Sequence, residues 1–219
     1  RKITTWVDKN RDKAVDTTEV ISFEKSNAEL LTPYLRVTSR TEGENVIDFI
    51  RGEKVAGGRS RDVGTVTSPL TWKLGDILNS DPTMVGAPVE AFDTRFGDSS
   101  YTRFFEKYKD RRRVLYVGAN DGMLHAFNVG YFHSGDDATT TPKEHGYFTT
   151  GPDKNEPGTG VKALGEELWA FIPQELLPHL RWLKGDDYSS TKHVYYVDGT
   201  PRISDVKIFP TDEDHPNGW

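Results

Sequence analysis

Val114-Leu-Tyr-Val-Gly-Ala-Asn-Asp-Gly-Met-Leu-His-Ala-Phe-Asn128 is the stretch that decides how this chain folds. Two runs of β-branched, aromatic and aliphatic residues flank Asn120-Asp121-Gly122. Asn, Asp and Gly accept positive φ at low cost, so the trio suits a tight turn and the stretch predicts a β-hairpin. Gly118 leaves room for a bulge or a close backbone approach. Outward from the hairpin, short apolar runs bounded by Gly, Asp and Pro predict further strands at 82–86, 168–172, 194–197 and 203–208. No long helical pattern separates them, so βαβ units are not expected. Tyr195-Tyr-Val-Asp-Gly199 and Leu168-Trp-Ala-Phe171 echo the hairpin loosely.

The composition agrees with a mainly β chain and excludes several classes. In 219 residues there are 5 Trp, 9 Tyr and 11 Phe, too many aromatics for a disordered chain and a composition that favours strands. The 20 Gly and 12 Pro supply turns. A net charge of −6 argues against a nonspecific phosphate-backbone binder, so nucleic acid is not an expected partner. No apolar run approaches the ~18 residues of a membrane helix, and no signal peptide is in view. With no cysteine, disulfides, thiolate metal sites and a Cys nucleophile are excluded. The chain starts at Arg1 without Met and is expected to be a fragment, with any targeting segment outside it.

Two regions are expected: a leading segment, 1–68, with an acidic loop and helices, and a β region, 69–219. Ser26 or Asn27 can cap a helix carrying Leu30, Leu31 and Leu35, shortened by Pro33. Val46, Ile47 and Ile50 share one face of a second helix over Glu44–Arg51, with Gly52 at the C′ position. A third helix is predicted over Pro173–Leu183, its Leu176, Leu177, Leu180 and Leu183 stripe facing a core. Residues 92–113 and 130–165 read as inserted loops, and Arg111–Arg113 as a solvated lead-in to a strand.

The acidic loop runs Asp8-Lys-Asn-Arg-Asp-Lys-Ala-Val-Asp-Thr-Thr-Glu19 and has the oxygen spacing of an EF-hand. Asp8, Asn10, Asp12, Asp16 and Glu19 fall on positions 1, 3, 5, 9 and 12, and Ala14 would ligate through its carbonyl at position 7. Hard Ca²⁺ takes six or seven such oxygens. Position 6, normally glycine, is Lys13, which must then adopt a left-handed conformation at a cost of about 1 kcal/mol. The flanks do not read as two helices, so an isolated EF-hand-like loop is expected, with an acidic solvated turn as the alternative. Asp136-Asp137 and Asp212-Glu213-Asp214 read as solvated acidic loops, and Arg51-Gly52-Glu53 as a helix C-terminus. The six histidines show neither HExxH nor i,i+4 spacing, and no nucleophile elbow, Walker A or Rossmann glycine pattern occurs.

The hairpin resembles the repeat hairpin of quinoprotein-like β-propellers. At roughly 40–50 residues per blade, the region after Trp72 makes about three blades, fewer than a closed ring, so a partial, truncated propeller is expected. Five blocks in order sharpen the resemblance: Val46–Gly52, Trp72–Thr83, Tyr116–Phe127, Glu167–His179 and Tyr196–Thr200. Together they resemble the C-terminal domain of PilY1/PilC-type proteins, type IV pilus tip-associated factors and adhesins, over about residues 1–209. The resemblance implies a non-enzymatic protein on the bacterial outer surface or pilus tip. Such a protein would support pilus assembly against retraction, promote adhesion, and contact minor pilins and host or abiotic surfaces. Two other readings share the fold: a quinoprotein-type dehydrogenase, for which neither a vicinal Cys pair nor a defined cofactor set is seen, and a scaffold of outer-membrane assembly.

Overall fold

Alternation along the first residues buries Ile3, Thr5 and Val7 and leaves Thr4 and Trp6 half-buried, the period-2 pattern of a strand with one face inward. This is β1 (Ile3–Trp6) of the computed structural model, which describes residues 1–140, 143, 145–152, 161–188 and 191–219. The chain continues through β2 (Val20–Ser22), α1 (Ala28–Leu35), α2 (Arg40–Arg51), β3 (Thr83–Val85), α3 (Phe92–Phe96) and α4 (Ser100–Tyr108). Next come β4 (Arg113–Ala119), β5 (Met123–Ser134), β6 (Gly146–Thr149), β7 (Glu167–Ile172), a 3₁₀ turn over Gln174–His179 and α5 (Leu180–Leu183). The described residues form two compact units interleaved in sequence. The first comprises Arg1–Asp81, Val117–His125 and Trp169–Thr200; the second comprises Pro82–Tyr116, Ala126–Leu168 and Pro201–Trp219.

In the first unit β1 is the centre of a mixed sheet. It pairs antiparallel with β2 (Thr5 opposite Ile21) and parallel with β7 (Thr4 opposite Phe171). The N-terminal segment is therefore woven into the sheet that also holds residues near 170. The helices cover a mainly aliphatic core that includes Ile3, Phe23, Leu31, Leu35, Ile47, Ile50, Met123, Ile172, Leu177 and Leu180. Ser39 caps α2 by accepting from Glu42 N (3.2 Å), so the helix starts four residues before the predicted Glu44. Gly52 ends it at φ +103°, the left-handed cap expected. Arg51 turns inward, its Nη1 and Nη2 donating to Phe23 O and Arg1 O, so the Arg51-Gly52-Glu53 tripeptide is a helix end. Pro33 sits inside the short α1, and the predicted 173–183 helix is a 3₁₀ turn running into α5, with Pro178 within the 3₁₀ turn.

The second unit holds β3 paired antiparallel with β4 (Met84 opposite Leu115) and β5 paired with β6 (Phe132 opposite Phe148). The segment 92–113, expected to be an inserted loop, instead contains α3 and α4. Tyr101, Phe104, Phe105 and Tyr108 fall at i, i+3, i+4 and i+7, and this face builds an aromatic core with Phe92 and Trp219. Ring centroids lie 5.0 Å apart for Tyr101–Trp219 and 5.0 Å for Phe92–Trp219. Within 130–165, β5 runs on to Ser134 and returns as β6; residues 141, 142, 144 and 153–160 of that predicted insertion lie outside the described residues.

Two predicted strands are absent. Residues 194–197 and 203–208 carry strand-forming side chains but no strand. Val194, Tyr195, Ile203, Val206 and Ile208 are exposed, and no neighbouring strand among the described residues accepts their backbone groups. Their anchors are polar: Tyr196 N donates to Asn120 Oδ1 (3.0 Å), and Asp205 Oδ2 accepts from Tyr101 Oη (2.6 Å).

Gly118 meets the constraint expected of it, because a Cβ there would overlap the carbonyl oxygen of Val197. Gly118→Ala is expected to cost about 2–3 kcal/mol in urea unfolding through forced backbone displacement. Gly199→Ala, where a Cβ would meet nothing within 4 Å, should stay within about 0.5 kcal/mol.

Candidate functional site

The acidic loop joins β1 to β2, so it is a hairpin loop and not a helix–loop–helix. Its backbone takes the turns its spacing calls for. Lys13 lies at φ +66° and Arg11 at φ +63°, and Lys13 N donates to Asp8 Oδ2 (3.2 Å). Asx turns close the arc: Asn10 Oδ1 accepts from Asp12 N (2.9 Å) and Asp12 Oδ1 from Ala14 N (2.8 Å). The loop is fastened to the first unit at its start, where Asp8 N donates to Gln174 Oε1 (2.9 Å).

Of the six residues chosen from sequence, Glu19 alone is buried, at 1% exposure; Asp8 is half-buried, and Asn10, Asp12, Ala14 and Asp16 are exposed. Glu19 folds into the loop and caps it. Its Oε1 accepts from Lys9 N (2.6 Å) and Asn10 N (3.3 Å), and its Oε2 from Asp16 N (3.2 Å). Burial pushes the Glu19 carboxyl up, but these three backbone donors outweigh it and hold the pKa below the usual value. The Asn10 amide bridges Asp12 Oδ2 (3.0 Å) and Asp16 Oδ2 (3.1 Å). Asp8 Oδ1 is left as a buried oxygen without a hydrogen-bond partner. Three observations fit a hard cation: this orphaned oxygen, the left-handed Lys13 and the Lys13–Asp8 bond. Against full convergence, no group of three or more His, Asp or Glu side chains among the described residues stands in metal-holding geometry.

A second constellation lies at the hairpin turn. Asn120 and Asp121, both buried, bind three separate stretches of the first unit. Asn120 Nδ2 donates to Asp76 Oδ2 (2.8 Å), Asn120 N to Asp76 O (3.0 Å), and Asn120 Oδ1 accepts from Tyr196 N. Asp121 Oδ2 accepts from Gly75 N (3.0 Å), and Asp121 Oδ1 lies 3.0 Å from Nε2 of the fully buried His125. His193 Nε2 lies 2.8 Å from Asp76 Oδ2, and this bond helps hold Asp76 below the carboxylate norm against the burial that raises it. Gly75 belongs here too, since a Cβ on it would overlap Asp121 N. The arrangement of carboxylates, amides and imidazoles fastens chain segments to one another. The signal in the sequence was the co-occurrence of Gly75-Asp76 with Asn120-Asp121, which no local pattern reveals.

The chain is mainly β, with its Gly-Ala-Asn-Asp-Gly hairpin fastened to neighbouring segments. The model of the PilY1 beta-propeller domain matches residues 74–216, and the chain belongs to that family. It is 32% identical over 163 residues to the "Type IV pilus biogenesis factor PilY1 homolog" of Xylella fastidiosa (strain Temecula1 / ATCC 700964), covering 73% of this chain and 10% of the relative. It is 31% identical over 176 residues to the "Type IV pilus biogenesis factor PilY1" of Pseudomonas aeruginosa (strain UCBPP-PA14), and 29% over 175 residues to that of strain PAK. Each of these alignments covers 76% of this chain and 11% of the relative, so the chain spans about a tenth of the length of the curated relatives it matches. These relatives are named as pilus biogenesis factors rather than as enzymes. No solved structure matches the chain. Among the described residues no helix is long and apolar enough to cross a membrane.

Because the Glu19 carboxyl titrates below its unfolded value, its contribution to stability is present above the unfolded pKa near 4.5 and is lost as pH falls through the folded pKa. Glu19→Gln should therefore flatten the acid limb of the stability–pH curve below about pH 4.5, measured by thermal melts in calcium-free buffer. Asp121→Ala would remove the buried carboxylate that accepts from Gly75 N–H and meets His125 Nε2. It should cost about 2–4 kcal/mol in urea unfolding.

Proposed function

We propose that this chain works as a contact-making part of a type IV pilus surface protein. It would support the balance of pilus assembly and retraction, and adhesion, by binding other proteins without performing chemistry. The observation that carries the reading is the family match over 74–216, joined to relatives named as pilus biogenesis factors. In this reading the chain acts outside the cell, at the pilus tip or the outer surface. Its partners are minor pilins or the tip complex, with host or abiotic surfaces as targets of adhesion. Exposed apolar side chains outside the two cores, such as Val66, Leu70 and Val89, suit such contacts. Deletion of the full-length protein should abolish surface pili and adherence while outer-membrane protein levels stay normal, and complementation should restore both. Normal piliation in the deletion strain would sink the reading; loss of outer-membrane proteins would favour an assembly scaffold instead.

Calcium completes the proposal. Asp8, Asn10, Asp12, Asp16 and Glu19 would hold Ca²⁺ through side-chain oxygens, and Ala14 through its carbonyl. The ion would compensate four carboxylates gathered in one hairpin loop. The orphaned Asp8 Oδ1 supports this most directly. A ligand that binds only the native state at 100 times its Kd adds about 2.7 kcal/mol. Saturating calcium should therefore raise the melting temperature by about 5–10 °C over a chelator control. The Asp8→Ala/Asp12→Ala double variant should show no rise. An unchanged wild-type melting temperature would remove calcium from the proposal and leave the pilus reading standing.

A further inference from the structure

The first unit contains a pocket of about 390 Å³ that the proposed contacts and calcium loop do not use. The C-terminal end of α2 forms one wall through Phe49, and the Arg59-Ser60-Arg61 stretch and Trp72-Lys73 form others. Its rim includes Asp62, Asp76 and Asp121. The charges around it are unevenly satisfied. Each rim carboxylate is engaged: Asp62 with Lys54 Nζ (2.8 Å), Asp76 with Asn120 and His193, and Asp121 with Gly75 N and His125. The cations are not. Among the described residues no carboxylate lies in ion-pair range of Arg59, Arg61 or Lys73.

Each guanidinium uses one side-chain N–H on a backbone carbonyl. Arg59 Nε donates to Leu183 O (2.8 Å), and Arg61 Nη2 donates to Phe49 O. A guanidinium has five such donors in a fixed fork, so most of them remain unspent. Both arginines are half-buried and held by aromatic faces. Arg61 lies 3.9 Å from the Phe49 ring centroid, and Arg59 lies 5.0 Å from that of Tyr188. Burial, with the neighbouring Arg59 and Arg1 charges, pulls the Arg61 guanidinium down to about 10. The Tyr188 hydroxyl, on the same pocket wall, is buried with no acceptor for its proton, while the Val194 backbone N–H approaches its oxygen.

We infer that this pocket is a binding site for a single carboxylate carried on an apolar or aromatic body, with the Arg59 and Arg61 forks and the Tyr188 hydroxyl as donors. A planar carboxylate matches the guanidinium fork in two parallel hydrogen bonds. Trp72 and Tyr188 offer rings for the body behind it. A phosphate dianion fits less well, because three fixed carboxylates stand on the rim. The carboxylate can come from a chain end or from an acidic side chain of a peptide.

The test uses the whole 219-residue chain, followed by NMR of the Arg59 and Arg61 Nε–H and Trp72 indole N–H signals. Four probes are titrated: N-acetylphenylalanine as the chain-end carboxylate, acetyl-Glu-Phe-amide as the side-chain carboxylate, N-acetylphenylalanine amide as the neutral control, and phenyl phosphate. At least one carboxylate probe should saturate these signals, and the tighter of the two identifies the source. The neutral amide should bind at least tenfold more weakly. Arg59→Gln should weaken the carboxylate at least tenfold, with Arg59→Lys in between because it keeps the charge and loses the fork. Tyr188→Phe should weaken it several-fold without lowering the melting temperature, since it removes a hydroxyl whose proton has no acceptor. Saturation by neither carboxylate, equal binding of the neutral amide, unchanged binding by Arg59→Gln, or tighter binding of phenyl phosphate would each overturn the assignment.

Discussion

The first unit depends on two consecutive side chains at the tip of one hairpin. Asn120 and Asp121 would be unremarkable in a solvated turn, where any residues tolerant of the backbone would serve. Here they are buried, and every polar atom they bring inside has to meet a partner. They meet Gly75, Asp76, His125 and Tyr196, which come from three other places in the chain. A net intramolecular hydrogen bond is worth about 1 kcal/mol, but an orphaned buried group costs more than that. The turn therefore acts less by its sum than by exclusion: any arrangement that separates these segments leaves several buried groups unpaired. Gly75 and Gly118 belong to the same constraint, since each lets a neighbouring backbone come closer than any side chain would allow.

That dependence follows from composition. A chain that is 35% hydrophobic and 28% charged has limited apolar surface to bury, and here it is divided between two cores of different kinds. The first is mainly aliphatic and roofed by α1, α2 and the leucines near 177–183. The second is a small aromatic cluster in which Tyr101, Phe104 and Trp219 supply large buried areas from few residues. Polar fasteners finish what apolar burial begins, which is why residues 194–200 are held by Asn120 and by the Asn79–Asp198 contact (2.7 Å) rather than by strand pairing.

Local chemistry was legible in the sequence wherever it decided structure locally. The hairpin at 114–128, the Gly52 cap and the apolar face of α2 all follow from spacing within a few residues, and so did the family, from blocks in fixed order. The Val194–Val197 and Ile203–Ile208 runs misled because strand propensity describes a residue that fits a pleated surface, and no partner strand stands beside them among the described residues. The α4 face at 101, 104, 105 and 108 was written in the sequence at helical spacing but was masked by the charged residues between. The Arg59–Arg61 pocket had no local signature. What distinguishes these arginines is that the carboxylates near them are engaged elsewhere and none among the described residues pairs with them, a relation that exists only in three dimensions.

The acidic loop shows the same principle from the opposite side. Its spacing places six oxygens on EF-hand positions, and its backbone accepts two left-handed non-glycine residues to make that arc. Those conformations cost on the order of 1 kcal/mol each, so something must over-determine them. Glu19 does so by accepting hydrogen bonds from three backbone N–H groups, and Asn10 does so by placing its NH₂ between Asp12 and Asp16, where the two negative charges would otherwise face each other. A cation and these amides compete for the same oxygens. Calcium affinity in this loop would therefore equal the intrinsic chelation energy less the cost of releasing Glu19 and Asn10 from bonds already made. Asp8 Oδ1 is the exception: it is buried and unspent, and a cation would gain it without displacing anything.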